Sequence, residues 1–145
     1  MRLTIEQLQS WRAFVSAYAI EDSILLFELS EEQILSAANG IGPDRWPEAV
    51  RRVVDFLNPC FILPSIIHDL QFTYRNDGTK YKFHSYNGMF ERNCKRMAKY
   101  EYAWWRPMRY ITMQRAGEFG MILDSFGWRA WMQAYEEAQT RLALG

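Results

Sequence analysis

A histidine followed directly by an aspartate, His68-Asp69, lies inside an apolar stretch of the sequence. The chain has two histidines in all, and the apolar neighbours Ile67 and Leu70 predict that this one is largely buried. A buried imidazole and a buried carboxylate either find hydrogen-bonding partners or shift their pKa values. The pair is therefore either a satisfied pair in a core, the commoner case for so short a motif, or a reactive centre.

The segment that carries this pair is predicted to be a helix. Pro64 suits the first turn of a helix, because its ring fixes φ near the helical value and it has no N–H to lose. Arg75-Asn76-Asp77-Gly78 is a turn signal that ends the helix. We therefore predict a helix over about residues 64–74, with His68 and Asp69 about 100° apart around its axis.

Helix signals dominate the rest of the chain, and strand signals are weak. Thr4 is a candidate helix cap, and Ser30 followed by Gln33 is a capping-box pattern. Further helices are predicted where a proline or a run of apolar residues at helical spacing begins: after Pro47, over residues 82–100, after Pro107 and from Trp128. Together these signals predict a mainly α fold.

Composition limits the class of protein. A length of 145 residues is that of one domain, 1–145. Lys plus Arg and Asp plus Glu both number 17, so net charge gives no reason to expect a nucleic acid partner. Two cysteines cannot make a disulfide-dense secreted scaffold. No apolar run has the length of a signal peptide core or of a membrane span, which predicts a chain made in the cytoplasm with no encoded export route.

Two other segments could contribute to chemistry beside His68. The sequence Asn39-Gly40-Ile41-Gly42-Pro43 offers two glycines that allow positive φ, and is most simply a helix C-cap and turn. Asn87-Gly88-Met89-Phe90 lies on the predicted helix over residues 82–100, where Asn87 could also be an ordinary solvated residue.

In this order, the glycine loop, the His68-Asp69 helix and the Asn87-x-x-Phe90 segment resemble the phospholipase A2 superfamily. The resemblance is to its disulfide-poor members, the viral capsid-borne and small prophage-type proteins. The later segment Gly127-Trp128-Arg129-Ala130-Trp131 is similar to a Gly-x-x-Ala-Trp-like ending of the prophage-type proteins. The similar region covers about residues 38–132. It implies a compact helical domain with two antiparallel core helices, one of them bearing the His-Asp pair.

The resemblance also implies a site and a reaction. The backbone carbonyls of Ala38, Gly40 and Gly42 and the carboxylate of Asp69 would hold Ca²⁺, a cation that prefers oxygen ligands. His68 would take a proton from the water that attacks a phospholipid ester, while the ion stabilises the oxyanion. The implied partner is a phospholipid or membrane surface. The implied protein is made in the cytoplasm and is then either associated with the virion or released on lysis.

The chain departs from the family at one residue of this site. The family has an aspartate against the far nitrogen of the histidine, and this chain has Asn87. In the serine-protease triad the corresponding Asp→Asn change costs about 10⁴ in turnover, through the wrong tautomer. Asn87 can accept a hydrogen bond through its amide oxygen but carries no charge. Glu91, one helical turn later, is a candidate substitute.

Other interpretations stay open. A catalytically inactive relative could serve as a binding or phage-assembly module, in contact with phage structural proteins or as a homo-oligomer, and an unrelated helical adaptor is a third hypothesis. A zinc site is disfavoured because Cys60, Cys94, His68 and His84 lack the usual ligand spacing. The aromatic cluster at residues 100–105, beside several cations, fits core packing or an oligomer contact first and a membrane interface second.

Overall fold

A computed structural model describes residues 3–40 and 60–145, apart from the side chains of residues 39 and 40. This part of the chain contains seven α-helices and no strand, which confirms the mainly α prediction. The helices are α1 Ile5–Ala17, α2 Leu25–Glu28, α3 Glu31–Gly40, α4 Ile62–Tyr74, α5 Lys80–Glu101, α6 Pro107–Phe126 and α7 Trp128–Leu144. The predicted loop at residues 41–43 and the predicted helix after Pro47 lie outside the described residues.

Local capping sets several of the helix starts. Thr4 caps α1 with a reciprocal capping box, in which its hydroxyl accepts from the N–H of Gln7 and the Gln7 side chain accepts from the Thr4 N–H. Ser30 and Gln33 make the same pair of bonds at the start of α3. Each box satisfies two backbone donors that a helix start leaves unpaired. Both predicted capping patterns are confirmed.

A five-residue turn joins α4 to α5. Its geometry is fixed by Asn76, whose Oδ1 accepts from the N–H of Gly78, a residue with φ +76°. The side chain of Asp77 accepts from the N–H of Thr79, which in turn caps α5. So short a connection makes two helices antiparallel neighbours.

The main core lies between α4, α5 and α6, with α1–α3 packed on it. Its fully buried members come from all of these elements, among them Leu8, Leu26, Ile34, Leu63, Ile67, Leu70, Phe90, Cys94 and Phe119. Cys60 and Cys94 are both buried and free, so they are ordinary core thiols. This core fixes the spacing of the helices that carry the predicted site.

A second, aromatic cluster holds α7 against the α4–α5 pair. Trp131 is fully buried, packs edge-on against Phe72 and lies at a tilt to Phe83. Its backbone carbonyl accepts a hydrogen bond from Nδ2 of Asn76 in the α4–α5 turn, at 2.8 Å. The C-terminal helix is therefore attached to the same two helices as the main core.

None of the helices in residues 3–40 and 60–145 is long and apolar enough to cross a membrane.

Candidate functional site

His68 is buried in α4 and bonded to a side chain of α5. Its imidazole is 4% exposed and packs against the rings of Phe72 and Phe90. Nε2 lies 2.8 Å from Oδ1 of Asn87. His68 lies six residues before the end of α4 and Asn87 seven after the start of α5, so the contact is about 10 Å from the turn along each helix.

Burial determines the charge of this histidine. It lowers the pKa of His68 to about 4, because the charged imidazolium loses its water, while the hydrogen bond to Asn87 acts in the opposite direction. The imidazole is therefore neutral at pH 7 and has one ring nitrogen free to accept a proton.

Asn87 connects His68 to a carboxylate on α6. Asn87 is 1% exposed, and its Nδ2 donates to Oδ1 of Asp124 at 2.9 Å. The same oxygen lies 3.0 Å from Nδ1 of His84, one turn before Asn87 on α5. The side chains of His84 and Asp124 are about half exposed. A chain of polar contacts thus leads from the buried ring of His68 to solvent.

Sequence reasoning missed Asp124 and left His84 outside the site. Asp124 is the single charged residue in the apolar segment 121–126, which is the signal that could have drawn attention to it. It lies 37 residues after Asn87, and only the packing of α6 against α5 brings the two together.

Asp69 follows His68 on α4 and is partly buried. Burial raises the pKa of its carboxyl to about 8. Among residues 3–40 and 60–145, it has no hydrogen-bonding or ion-pairing partner. A partly buried carboxyl without a partner in this part of the chain is a group that a bound cation would stabilise.

The other predicted calcium ligands are only partly within the described residues. The backbone of Ala38 and Gly40 belongs to the last turn of α3, and Gly42 lies outside the description. Carbonyls of a last helical turn have no intrahelical partner and lie at the negative end of the helix dipole, so this chemistry fits a cation. In the described part of the chain, no three His, Cys, Asp or Glu side chains form a metal cluster. Convergence of these carbonyls on Asp69 stays a prediction.

Glu91, the predicted substitute for the missing aspartate, contacts other groups. Its Oε1 pairs with Nζ of Lys95 at 2.8 Å. Its carboxylate also lies over α6, where a Cβ added at Gly120 would come within 2.8 Å of Oε2. Glu91 therefore contributes to the contact between α5 and α6, and the carboxylate next to Asn87 is that of Asp124.

The aromatic cluster forms an exposed tip at the connection between α5 and α6. Trp104 and Trp105 are 72% and 66% exposed, so the prediction that they pack in the core of this chain is wrong. The tip has internal order: the hydroxyl of Tyr110 donates to the Trp104 carbonyl at 2.6 Å, and the guanidinium of Arg106 lies over the Trp105 ring.

A separate cleft of about 430 Å³ lies between α2 with the residues just before it and the first half of α5, and neither His68 nor Asp69 lines it. Two of its carboxylates already have partners: Asp22 accepts from the side chain of Gln71, and Glu28 pairs with Arg75. Because these carboxylates are already paired, this cleft is a weaker candidate than the His68 site.

No protein-family model, no curated protein and no solved structure matches the chain. The site is therefore interpreted from its geometry.

Proposed function

We propose that this protein is a calcium-dependent phospholipid ester hydrolase of the phospholipase A2 type, with His68 as its general base. The observation that carries the proposal is the contact between Nε2 of His68 and Oδ1 of Asn87. It joins the His-Asp helix to its antiparallel neighbour at the position where the resemblance expects the partner of the histidine.

The contact supports base chemistry for a specific reason. An amide oxygen can only accept, so Nε2 carries the proton and Nδ1 keeps its lone pair. The Asp→Asn change in a serine-protease triad is damaging because it favours the wrong tautomer. Here the amide oxygen, and not its NH₂ group, is the atom next to the ring. Asn87 therefore holds the ring as an aspartate would, but without a negative charge to stabilise the imidazolium.

The proposed reaction uses the chain's own groups as follows. Nδ1 of His68 takes a proton from water, the resulting hydroxide attacks the ester carbonyl, and the proton then passes to the leaving alcohol. Asp69, with the carbonyls of Ala38, Gly40 and Gly42, would hold Ca²⁺. The ion, when bound, supplies the positive charge that polarises the ester carbonyl and stabilises the oxyanion.

The exposed tip of Trp104 and Trp105 supports a lipid surface as the partner. Tryptophan rings and arginine side chains favour the headgroup region of a bilayer, because each of these side chains has an apolar part and a polar part. Arg106 and Arg109 follow the two rings in the sequence and could pair with anionic headgroups.

The proposal is tested by fatty acid release from phospholipid vesicles with and without calcium. We expect calcium-dependent release by the wild type, and loss to background for His68→Ala and for Asp69→Asn. Glu118→Gln, which removes an exposed carboxylate of α6, is the matched control and keeps full activity. Equal release by His68→Ala and wild type would exclude His68 from the reaction.

A second candidate function is a catalytically inactive relative that serves as a binding or phage-assembly module, and the uncharged Asn87 favours it. The variant Asn87→Asp alone would place two carboxylates side by side, because Asp124 lies 2.9 Å from the Asn87 amide. The double variant Asn87→Asp, Asp124→Asn restores a charged partner for His68 without that repulsion. An inactive wild type with an active double variant would show that the wild type is a catalytically inactive relative, whereas an active wild type excludes this.

A further inference from the structure

We propose that Asp124 is a positioning residue that fixes the tautomer of His68 by orienting the amide of Asn87. Its effect on turnover rests on the proposed function, whereas its effect on the tautomer does not.

The first step concerns the amide. An ionised carboxylate has no proton to donate, so whatever faces it at hydrogen-bonding distance must be a donor. Oδ1 of Asp124 lies 2.9 Å from the terminal amide of Asn87, and the group facing it is therefore the NH₂ group. This orientation leaves the amide oxygen of Asn87 on the side of His68.

The second step concerns the ring. The Asn87 oxygen lies 2.8 Å from Nε2 of His68 and accepts its hydrogen bond. A neutral imidazole carries one N–H, so a proton on Nε2 leaves Nδ1 as the acceptor. Asp124 thereby determines which nitrogen of His68 is basic, although it does not touch the ring.

Asn87 alone does not determine which ring nitrogen of His68 carries the proton. The oxygen and the NH₂ group of an amide exchange positions on rotation, and a rotated Asn87 would donate to Nε2 and move the proton to Nδ1. With Asn87 1% exposed, solvent does not select between the two orientations. The carboxylate of Asp124 is the group that does.

His84 shares Oδ1 of Asp124 but is placed differently. Its side chain is 56% exposed, so water can replace the hydrogen bond that it makes to the carboxylate. Removal of His84 leaves the bond from Asn87 to Asp124 in place, and the tautomer of His68 should be unchanged.

The test is the ¹⁵N signal of the histidine rings at pH 7, where protonated and unprotonated ring nitrogens differ widely. The chain has only two histidines, and His84→Ala leaves a single ring to observe. In that background we expect His68 to have a protonated Nε2 and an unprotonated Nδ1. A proton on Nδ1 would overturn the proposal before any further variant is made.

Asp124→Ala supplies the decisive comparison. We expect the share of His68 with a protonated Nε2 to fall to roughly half, the value for two equally favourable amide orientations. Asp124→Asn, which keeps the shape of the side chain but can present either an oxygen or an NH₂ group to Asn87, should lower that share as well. Glu118→Ala, on the same helix, should change nothing. An unaltered tautomer in a folded Asp124→Ala protein contradicts the proposal. Should the Asp124→Ala protein fail to fold, the Asp124→Asn protein decides: an unaltered share of protonated Nε2 in that variant overturns the proposal.

Vesicle hydrolysis separates the two proposals. If the wild type hydrolyses phospholipid, Asp124→Ala should lower kcat by about tenfold or more with little change in KM, since a tautomer error affects the chemical step. If the wild type is inactive, the proposed function fails while the NMR result for Asp124 stands.

Discussion

At the scale of single residues, the pairing of His68 with Asn87 could be anticipated from the sequence and the role of Asp124 could not. The resemblance to the phospholipase A2 superfamily implied that Asn87 lies opposite the histidine, and the short turn between their helices allows that contact. Asp124 reaches Asn87 across the α5–α6 contact. Glu91 pairs with Lys95, a contact that helical spacing does not reveal, because spacing gives the face on which a residue lies but not its partner.

The pH dependence of stability should reveal His68 and Asp69 as opposing groups. Folding lowers the pKa of His68 from 6.5 to about 4, so the folded ring binds fewer protons in this range and stability rises with pH. Folding raises the pKa of Asp69 from 3.8 to about 8. Between these two pH values the folded carboxyl binds more protons than the unfolded one, so its contribution to stability falls as the pH rises. The two slopes oppose each other between pH 4 and 6.5, and from pH 6.5 to 8 the Asp69 decline remains, at most about 1.4 kcal/mol per pH unit.

Asp69→Asn should remove that decline. We expect the variant to be more stable than the wild type at pH 8, and to gain stability between pH 4 and 6.5 where the wild type is flat. The measurement is urea unfolding at pH 4.5, 6.5 and 8 in the presence of a calcium chelator, with Glu118→Gln as the control. Parallel profiles for wild type and Asp69→Asn would show that the Asp69 carboxyl is not perturbed by burial.

At the scale of the elements, helix starts were predictable and one helix continuation was not. Thr4 and Ser30 carry their capping information within four residues of sequence, which is why these starts are confirmed. Gly120 is a poor helix former, yet α6 runs through it to Phe126. Its role is to let α6 approach Glu91 of α5, a close contact that only the packed structure reveals.

Alanine substitution should affect the free energy of unfolding differently at two glycines, one in the α4–α5 turn and one inside α5. Gly78 has φ +76°, and an added Cβ would come within 3.2 Å of the Tyr135 ring, so Gly78→Ala should cost about 1–2 kcal/mol of unfolding free energy. Gly88 lies inside α5, where its Cβ would meet only the flexible end of Arg92, so Gly88→Ala should be neutral or stabilise by up to about 1 kcal/mol. Denaturant midpoints measure both, and a stabilising Gly78→Ala would refute the strained turn.

At the scale of the whole molecule, we expect the protein to contact a lipid surface through its exposed Trp104–Trp105 tip. We expect Trp104→Ala with Trp105→Ala to reduce co-sedimentation with anionic phospholipid vesicles by about tenfold or more, since each ring can bury 150–250 Å². Phe126→Ala removes an aromatic side chain that is 78% exposed elsewhere and should bind as the wild type does. Equal losses in both proteins would mean that binding is not localised at the tip.

The junction at Gly127 has a consequence for the molecule as a whole. This one residue separates α6 from α7, three positions after Asp124 and four before the buried Trp131. An added Cβ there would come within 2.5 Å of the Leu123 carbonyl, so any other residue at this position would have to shift the backbone. A substitution of Gly127 should therefore disturb two attachments at once: the anchoring of the C-terminal helix through Trp131, and the end of α6 from which Asp124 contacts Asn87.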